Sequence, residues 1–380
     1  MTLRWIVVGA GAAGCAVTAE LVAAIDAHVT VVESGPGEDA PGVRSASFFD
    51  ALAEPGRVFP GPHRRGRGLG GSTAVNGMVA GRGFAGGLPV EAVGDAEIGP
   101  IGRALRDAVP DAAPVRLVRH GGHRVTAADH FLAGLPAGRV EVRAGCDVAS
   151  VVLDGRRAVG VALTDGQVVE GDAVVLCAGA LATPTILART GVTAGVGLGL
   201  RNHPAVPILV RRRTQVDPHS TPITVSWRHG DVDVLAIEHL GPEEPDWAML
   251  LTVVMTTSTT GSVRPDPTDP AGSLIDWTLD PSDRARLGRA AFRTSGILEH
   301  AAFASAVDDI VVGDGPGGVF HWGSSCAIGR VLDDRGAVTG HHRLFVADAS
   351  AFAGLPVEHL MLPTIAQARR LARRFVPTVC

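Results

Sequence analysis

The hexapeptide Gly9-Ala10-Gly11-Ala12-Ala13-Gly14 lies directly behind the apolar run Trp5-Ile6-Val7-Val8 and ahead of an apolar, helix-like stretch from Cys15 to Ile25. A second β-type run, His28 to Val32, follows and ends at Glu33. Strand, glycine turn, helix and second strand in this order are the dinucleotide fingerprint in its full context, and they commit the N-terminal part to a βαβ unit with a parallel sheet. Gly9 allows the tight turn, Gly11 lets the backbone approach a pyrophosphate, and Gly14 lets helix and strand pack closely. The N-terminus of that helix offers unpaired N–H groups and a partial positive charge to phosphates. Glu33, nineteen residues after Gly14, stands where an acid accepts hydrogen bonds from a ribose 2′-OH, and Ser34 follows it. A glycine turn that binds nothing does not account for the placed acid. The acid suits NAD and FAD equally, so the fingerprint alone does not choose between them.

Composition narrows the class. The chain has 380 residues and is 46% hydrophobic, ample for one complex domain or two interleaved ones. A formal net charge of −5 leaves no nucleic-acid footprint. The five cysteines are scattered, without a CxxC or a Cys/His cluster, so neither zinc nor an iron–sulfur centre is expected and reduced thiols in the cytoplasm fit best. The fingerprint strand begins at residue 5, leaving no room for a signal peptide, and no apolar run reaches membrane-spanning length. The bias towards Gly, Ala, Val and Arg points to a GC-rich, bacterial source.

The block Gly66-Arg67-Gly68-Leu69-Gly70-Gly71-Ser72-Thr73-Ala74-Val75-Asn76-Gly77-Met78-Val79-Ala80-Gly81-Arg82-Gly83 provides small residues along which a large, flat group can lie, with Ser72, Thr73 and Asn76 as hydrogen-bond partners. It resembles the first signature of the GMC (glucose–methanol–choline) flavin oxidoreductases, GRxLGGSSxxNGMxxxRG. Ala178-Gly179-Ala180-Leu181-Ala182-Thr183-Pro184-Thr185-Ile186-Leu187, ahead of Thr190-Gly191-Val192, resembles the family's AGAxxSPxxLxxSGI element. Gly197-Leu198-Gly199-Leu200-Arg201-Asn202-His203-Pro204 resembles GxNLxDHP, with Asn202 in place of the usual Asp. The resemblance covers roughly 1–85, 138–205 and 310–376 and implies FAD as the cofactor. It implies contacts from Gly9, Gly11, Ala12, Ala13, Gly14, Glu33 and Ser34, and from Arg67, Gly70, Gly71, Ser72, Asn76, Gly77, Met78 and Val79. Val148, through its backbone at the adenine, and Ala178 and Gly179 complete the nucleotide side. One family variant attaches FAD through a His in the first signature. Val75 is its counterpart here, so non-covalent FAD is expected.

Two of the fourteen histidines stand out by the same resemblance. Phe320-His321-Trp322-Gly323-Ser324-Ser325-Cys326-Ala327-Ile328-Gly329 resembles HPxGTCxMG, with Trp322 for Pro and Ser325 for Thr. In the family this His lies by the flavin N5 edge. Leu344-Phe345-Val346-Ala347-Asp348-Ala349-Ser350 resembles LxVADAS, whose Asp approaches the ribityl or pyrophosphate region, with Ala349 beside it. His359-Leu360-Met361-Leu362-Pro363-Thr364 resembles [NH]xxxPT, which brings a second His beside the first and Leu360 and Met361 to the flavin. Alcohol oxidation needs such a pair. A neutral imidazole takes the hydroxyl proton, and a second group orients the alcohol and stabilises alkoxide charge. His321 is therefore expected as base and His359 as its partner. Residues from Pro363 to Phe375 read as a helix with Arg369, Arg370, Arg373 and Arg374 near its C-terminal end, so that its N-terminus would face the flavin.

The expected fold is α/β: a discontinuous Rossmann-like FAD-binding domain (1–85, 138–205, 310–380), a reduced cap or connecting segment (86–137), and an interleaved antiparallel-sheet substrate domain (206–309). Val140 to Arg143, Val148 to Leu153, Ala158 to Leu163 and Val168-Val169 read as a meander returning to the nucleotide sheet, and Ala173 to Cys177 as a buried parallel strand. Val206 to Val210, Ile223 to Trp227, Val232 to Ile237, Met249 to Met255 and Leu274 to Leu279 read as the antiparallel sheet, followed by a helix over Asp283 to Ala304. A second GxGxxG, Gly313 to Gly318, contains Pro316 and is read as a turn; His63-Arg64-Arg65 with Arg67 is read as a solvated loop. The chain is short for the family and resembles the compact bacterial members that accompany the mycofactocin redox peptide. A trimmed lid favours a bulky substrate, or an acceptor (a quinone, a redox peptide or protein, or O2) that docks directly. The leading expectation is an alcohol dehydrogenase acting on a small-molecule CH–OH donor, with an oxidase beside it. A lyase of the hydroxynitrile type, using the same histidines without net redox change, and a redox-silent flavoprotein are the alternatives.

Overall fold

The computed structural model describes residues 2–81, 83, 86–312 and 317–379. Its nucleotide half is a five-stranded, wholly parallel sheet in the order Leu344–Val346, Ala173–Leu176, Leu3–Val8, Ala27–Val32 and Val140–Arg143. Its central strands are covered on both faces, which is why they read as unbroken apolar runs: Trp5, Val7, Val174 and Val175 are fully buried. Helices Ala12–Ala24 and Met361–Phe375 pack against one another, clamped by Glu20, which accepts from Arg369 and Arg373. The first helix starts three residues before the apolar stretch that marks it, because Gly14 lies inside it. A Cβ on Gly14 would fall 1.8 Å from the Gly9 carbonyl oxygen.

Three sequence expectations shift. Val140–Arg143 is an edge strand of the parallel sheet, whereas Val148–Asp154, Arg157–Leu163 and Val168–Glu170 form their own antiparallel sheet, turned by Gly155 at φ 58°. The expected strand at Leu274 to Leu279 is Ser273–Asp276, and it pairs with Gly261–Pro265 in a separate three-stranded sheet completed by Leu198–Leu200. The proline-rich loop between those two strands makes them a local hairpin, out of reach of the large sheet. The expected helix over Asp283 to Ala304 is two: Pro281–Ile297, and Ala301–Ala304 capped by the His300 ring, which accepts from the Ala302 N–H.

The large antiparallel sheet has seven strands. Six run in the order Val307–Val312, Pro204–Arg212, Trp247–Val254, Val232–Ile237, Ile223–His229 and Ala113–Pro114, and Gly317–Gly318 adds to the second. Helix Pro100–Ala108, from the connecting segment, covers the outer face, where Ile101 and Leu105 pack with Val234, Ala236 and Leu250. Strand periodicity then sends the alternate residues Leu235, Ile237, Met249 and Leu251 to the inner face, towards the nucleotide half.

Candidate active site

Between the parallel sheet and that inner face lies a cavity of about 740 Å³. Gly9, Gly11, Ala12, Ala13, Glu33 and Ser34 line one end of it. The Gly9 turn needs its φ of 101°, since a Cβ there would meet the Cys177 carbonyl oxygen at 2.6 Å. The helix that follows begins at Gly11 without a side-chain cap and without an acid in its first turn, so its N–H groups are not taken by either. Glu33 is buried and holds the turns together: it accepts from the N–H groups of Ala10 (2.8 Å), Gly35 (2.9 Å) and Gly68 (2.9 Å).

The second glycine loop stands against the first. A Cβ on Gly71 would lie 2.7 Å from the Gly11 Cα, so the two backbones touch. Gly71, Ser72, Asn76, Gly77, Met78 and Val79 line the cavity. Asn76 is pinned by three bonds, accepting from the Met78 N–H (3.0 Å) and Arg124 Nη1 (3.0 Å) and donating to Met361 Sδ (3.3 Å). Arg124 is a buried cation, pushed down to about 9 by desolvation, and it also donates to the Thr73 carbonyl. Val75, which also lines the cavity, packs with Val43, Ala51 and Ala74.

Further along the wall come Val148, Ala178, Gly179, Asp348 and Ala349. Burial raises the Asp348 carboxyl above the usual range. It accepts from the Gly179 N–H (2.7 Å), the Thr183 hydroxyl (2.6 Å) and the Ser350 N–H (2.8 Å) and so ties two wall segments together. Leu360 and Met361 bring the start of helix Met361–Phe375 to the wall, again without a side-chain cap. Three expected contact residues stand back from the cavity. Gly14 serves helix packing. Gly70, at φ 86°, donates its N–H to the Ala10 carbonyl, and Arg67 is spent on the Ser34 carbonyl and Asp147. Of the neighbouring basic residues, Arg64 and Arg65 both line the cavity, Arg64 exposed and Arg65 over the Phe59 ring at 4.0 Å, so this cluster is only in part the solvated loop expected of it. Most of the second GxGxxG lies outside the described residues; its last two glycines extend the large sheet.

At the junction of the two halves His321 and His359 face one another edge to face, ring centroids 5.3 Å apart. The pair is the centre of a longer row. His321 Nδ1 is 2.9 Å from Nδ1 of fully buried His203, and the His321 N–H donates to Asn202 Oδ1 (2.8 Å). His359 Nε2 is 3.2 Å from Asp233 Oδ2, which also accepts from Arg228 Nη2 at 3.0 Å; Arg228 in turn pairs with Glu358. Burial holds His321 well below the ordinary imidazole range, and the adjacent His203 and His359 add to this. Burial likewise pushes His203 down to about 3. Burial works against ionisation of Asp233, but the bond from His359 and the charge of Arg228 keep it below its usual value. Phe320, just before His321, has φ 60°, a conformation that surroundings must impose on a non-glycine residue. Trp322 meets Trp277 edge to face at 5.5 Å, and Ser325 donates to the Ala180 carbonyl at 2.6 Å.

His203, Asp233 and Arg228 carry no role in the sequence reading. His203 is part of the quoted GxNLxDHP-like segment. Asp233 carries a signal of its own: it shares a strand face with Leu235 and Ile237, and an acid on an otherwise apolar inward face has to meet a partner.

Among the described residues no group of three or more His, Cys, Asp or Glu is placed to hold a metal ion, and no helix is long and apolar enough to cross a membrane. Family models described as GMC oxidoreductase match residues 111–205 and 256–368. An uncharacterized GMC-type oxidoreductase in the thcA 5' region of Rhodococcus erythropolis is 27% identical, over 93% of this chain and 94% of its own length. Among solved structures the chain is similar to pyridoxine 4-oxidase from Mesorbium loti (TM-score 0.86, 20% identity, 98% and 99% of the two chains). It is also similar to a formate oxidase (TM-score 0.85, 15% identity, 99% of each). A third likeness is to an FAD-dependent oxidoreductase from Chaetomium thermophilum (TM-score 0.80, 14% identity, 99% of each). At these identities the structural likenesses establish the shared fold.

Proposed function

The chain belongs to the GMC oxidoreductase family, and on that premise we propose that it oxidises the CH–OH group of a small-molecule alcohol to an aldehyde or ketone. As a member of that family it binds FAD. The cavity suits that cofactor: two glycine loops in backbone contact, a buried acid beside them, and two uncapped helix starts at its wall. We read the attachment as non-covalent, since the expected attachment position is Val75. When bound, the flavin supplies the acceptor for the hydride that leaves the carbinol carbon.

The observation that carries the proposal is the facing pair His321 and His359 on the cavity wall. Their surroundings fit the two tasks an alcohol presents. Desolvation keeps His321 neutral at pH 7, so a ring nitrogen offers a lone pair. In this reading His321 Nδ1 carries the ring hydrogen and donates it to His203 Nδ1, which leaves the Nε2 lone pair to take the hydroxyl proton. His359, backed by Asp233, orients the alcohol and stabilises the charge developing on its oxygen. We favour a dehydrogenase over an oxidase on the short connecting segment 86–137, which leaves a docking acceptor more room.

The test is an anaerobic alcohol panel read by bleaching of the flavin bands. His321→Ala is expected to keep the yellow colour and to slow bleaching at least about a hundredfold. Near-normal bleaching in that variant would remove His321 from the role of base. Cyanohydrin cleavage without bleaching would point to the lyase instead.

A further inference from the structure

Resting on that alcohol-oxidising reading, we propose that the substrate is an uncharged, apolar alcohol, recognised by its hydrocarbon body along the inner face of the seven-stranded sheet. The register lays this face out in tiers. Asp233 is opposite Val253, and Val253 is opposite Ala205, next to the imidazoles. Leu235, Leu251 and Pro207 form the second tier. Ile237, Met249 and Ile223 form the third. At about 3.3 Å per residue the third tier lies roughly 13 Å from the first.

All six residues of the second and third tiers line the cavity, and none has a side-chain nitrogen or oxygen. Phe48, Leu52 and Leu240, which also line the cavity, share that character. A sugar or polyol would bring hydroxyl groups that lose water and find no partner here. A quaternary ammonium ion would need a carboxylate or aromatic faces; the acid on this face, Asp233, is already paired with Arg228 and His359, and none of the six tier residues is aromatic. An anionic substrate would need a cation on this face; the tiers have none, Arg228 beside them is held between Asp233 and Glu358, and the arginines that line the cavity, Arg64, Arg65 and Arg189, lie outside this sheet. What remains is an alcohol whose single hydroxyl meets the imidazoles and whose apolar body covers the tiers.

The test is calorimetric titration of the FAD-loaded protein, reduced beforehand with dithionite so that no turnover occurs, with ethanol, 1-butanol, 1-octanol, 1-decanol, xylitol and choline. Binding is expected to tighten about fourfold per methylene until the third tier is covered, with xylitol and choline weaker than 1-butanol. Ile237→Ala should weaken 1-decanol more than 1-butanol, and Met249→Ala provides the same comparison should the first variant fail to fold. Absence of a chain-length gradient, or tighter binding of xylitol or choline, overturns the proposal. Bleaching of the oxidised protein is read separately. A gradient without bleaching by any alkanol upholds the apolar chamber and overturns the oxidation reading, whereas bleaching by polyols without a gradient does the reverse.

Discussion

Asp233 Oδ2 stands 3.2 Å from His359 Nε2 and 3.0 Å from Arg228, buried beside the cavity. A carboxylate in this position fixes which ring nitrogen of His359 carries the hydrogen and holds the ring in one orientation. Asp233→Asn keeps the shape and removes the charge. It is expected to slow flavin reduction by about tenfold to a hundredfold, less than loss of His321, because the lone pair of His321 stays in place. The reduction rate should also acquire a different pH profile, which a purely structural role for Asp233 would not produce. A loss as large as that of His321→Ala would transfer the proton-accepting role to His359. The two histidines themselves were legible in local motifs. Asp233 and Arg228 were not, because their meaning arises only when the strand register turns Asp233 inward beside His359, which is 126 residues away in the chain.

At the scale of elements, the cofactor end is an assembly of loops in which one side chain joins three segments. Glu33 accepts from amides of three segments: the turn before the first helix (Ala10), the stretch after its own strand (Gly35) and the second glycine loop (Gly68). Its expected duty at the ribose is thus joined to a structural one. Glu33→Ala leaves three buried N–H groups without their acceptor. At about 1 kcal/mol or more each, the unfolding free energy should fall by at least about 3 kcal/mol, and FAD should be retained less firmly. Urea unfolding of the variant beside a flavin-release assay checks both, and an unchanged midpoint would mean that water or the loop itself takes over. The glycine turns and the buried parallel strands were readable in advance, because a tight turn and a doubly covered strand restrict residue type locally. The split of the expected helix after Ile297 and the transfer of Ser273–Asp276 to a separate sheet were not, because pairing partners are chosen by tertiary position rather than by propensity.

At the scale of the whole molecule, the chain puts its polar chemistry on the seam between two cores. One is built on the parallel sheet and the other on the outer face of the antiparallel sheet, and the histidine row crosses between them. This arrangement couples stability to pH. His203 is held at about 3 and His321 well below its usual value, burial being the main cause for both. In the unfolded chain both regain a pKa near 6.5. A depressed folded value means that the unfolded state binds protons first as pH falls. The stability is therefore full above about pH 6.5 and is lost progressively below it, down to the folded values. For His203 the loss between pH 8 and pH 5 comes to about 2 kcal/mol, and His321 adds to it in the same direction. His239, also lowered mainly by burial, acts in the same direction, while exposed His219, raised by Asp50, opposes it weakly. Urea unfolding of the FAD-loaded protein from pH 8 to pH 5 is expected to show this decline, and His203→Gln should flatten it by about one histidine's share. A stability independent of pH across that range would mean that the row takes up protons in the folded protein as readily as in the unfolded chain, and that burial does not hold His321 neutral below about pH 6.5.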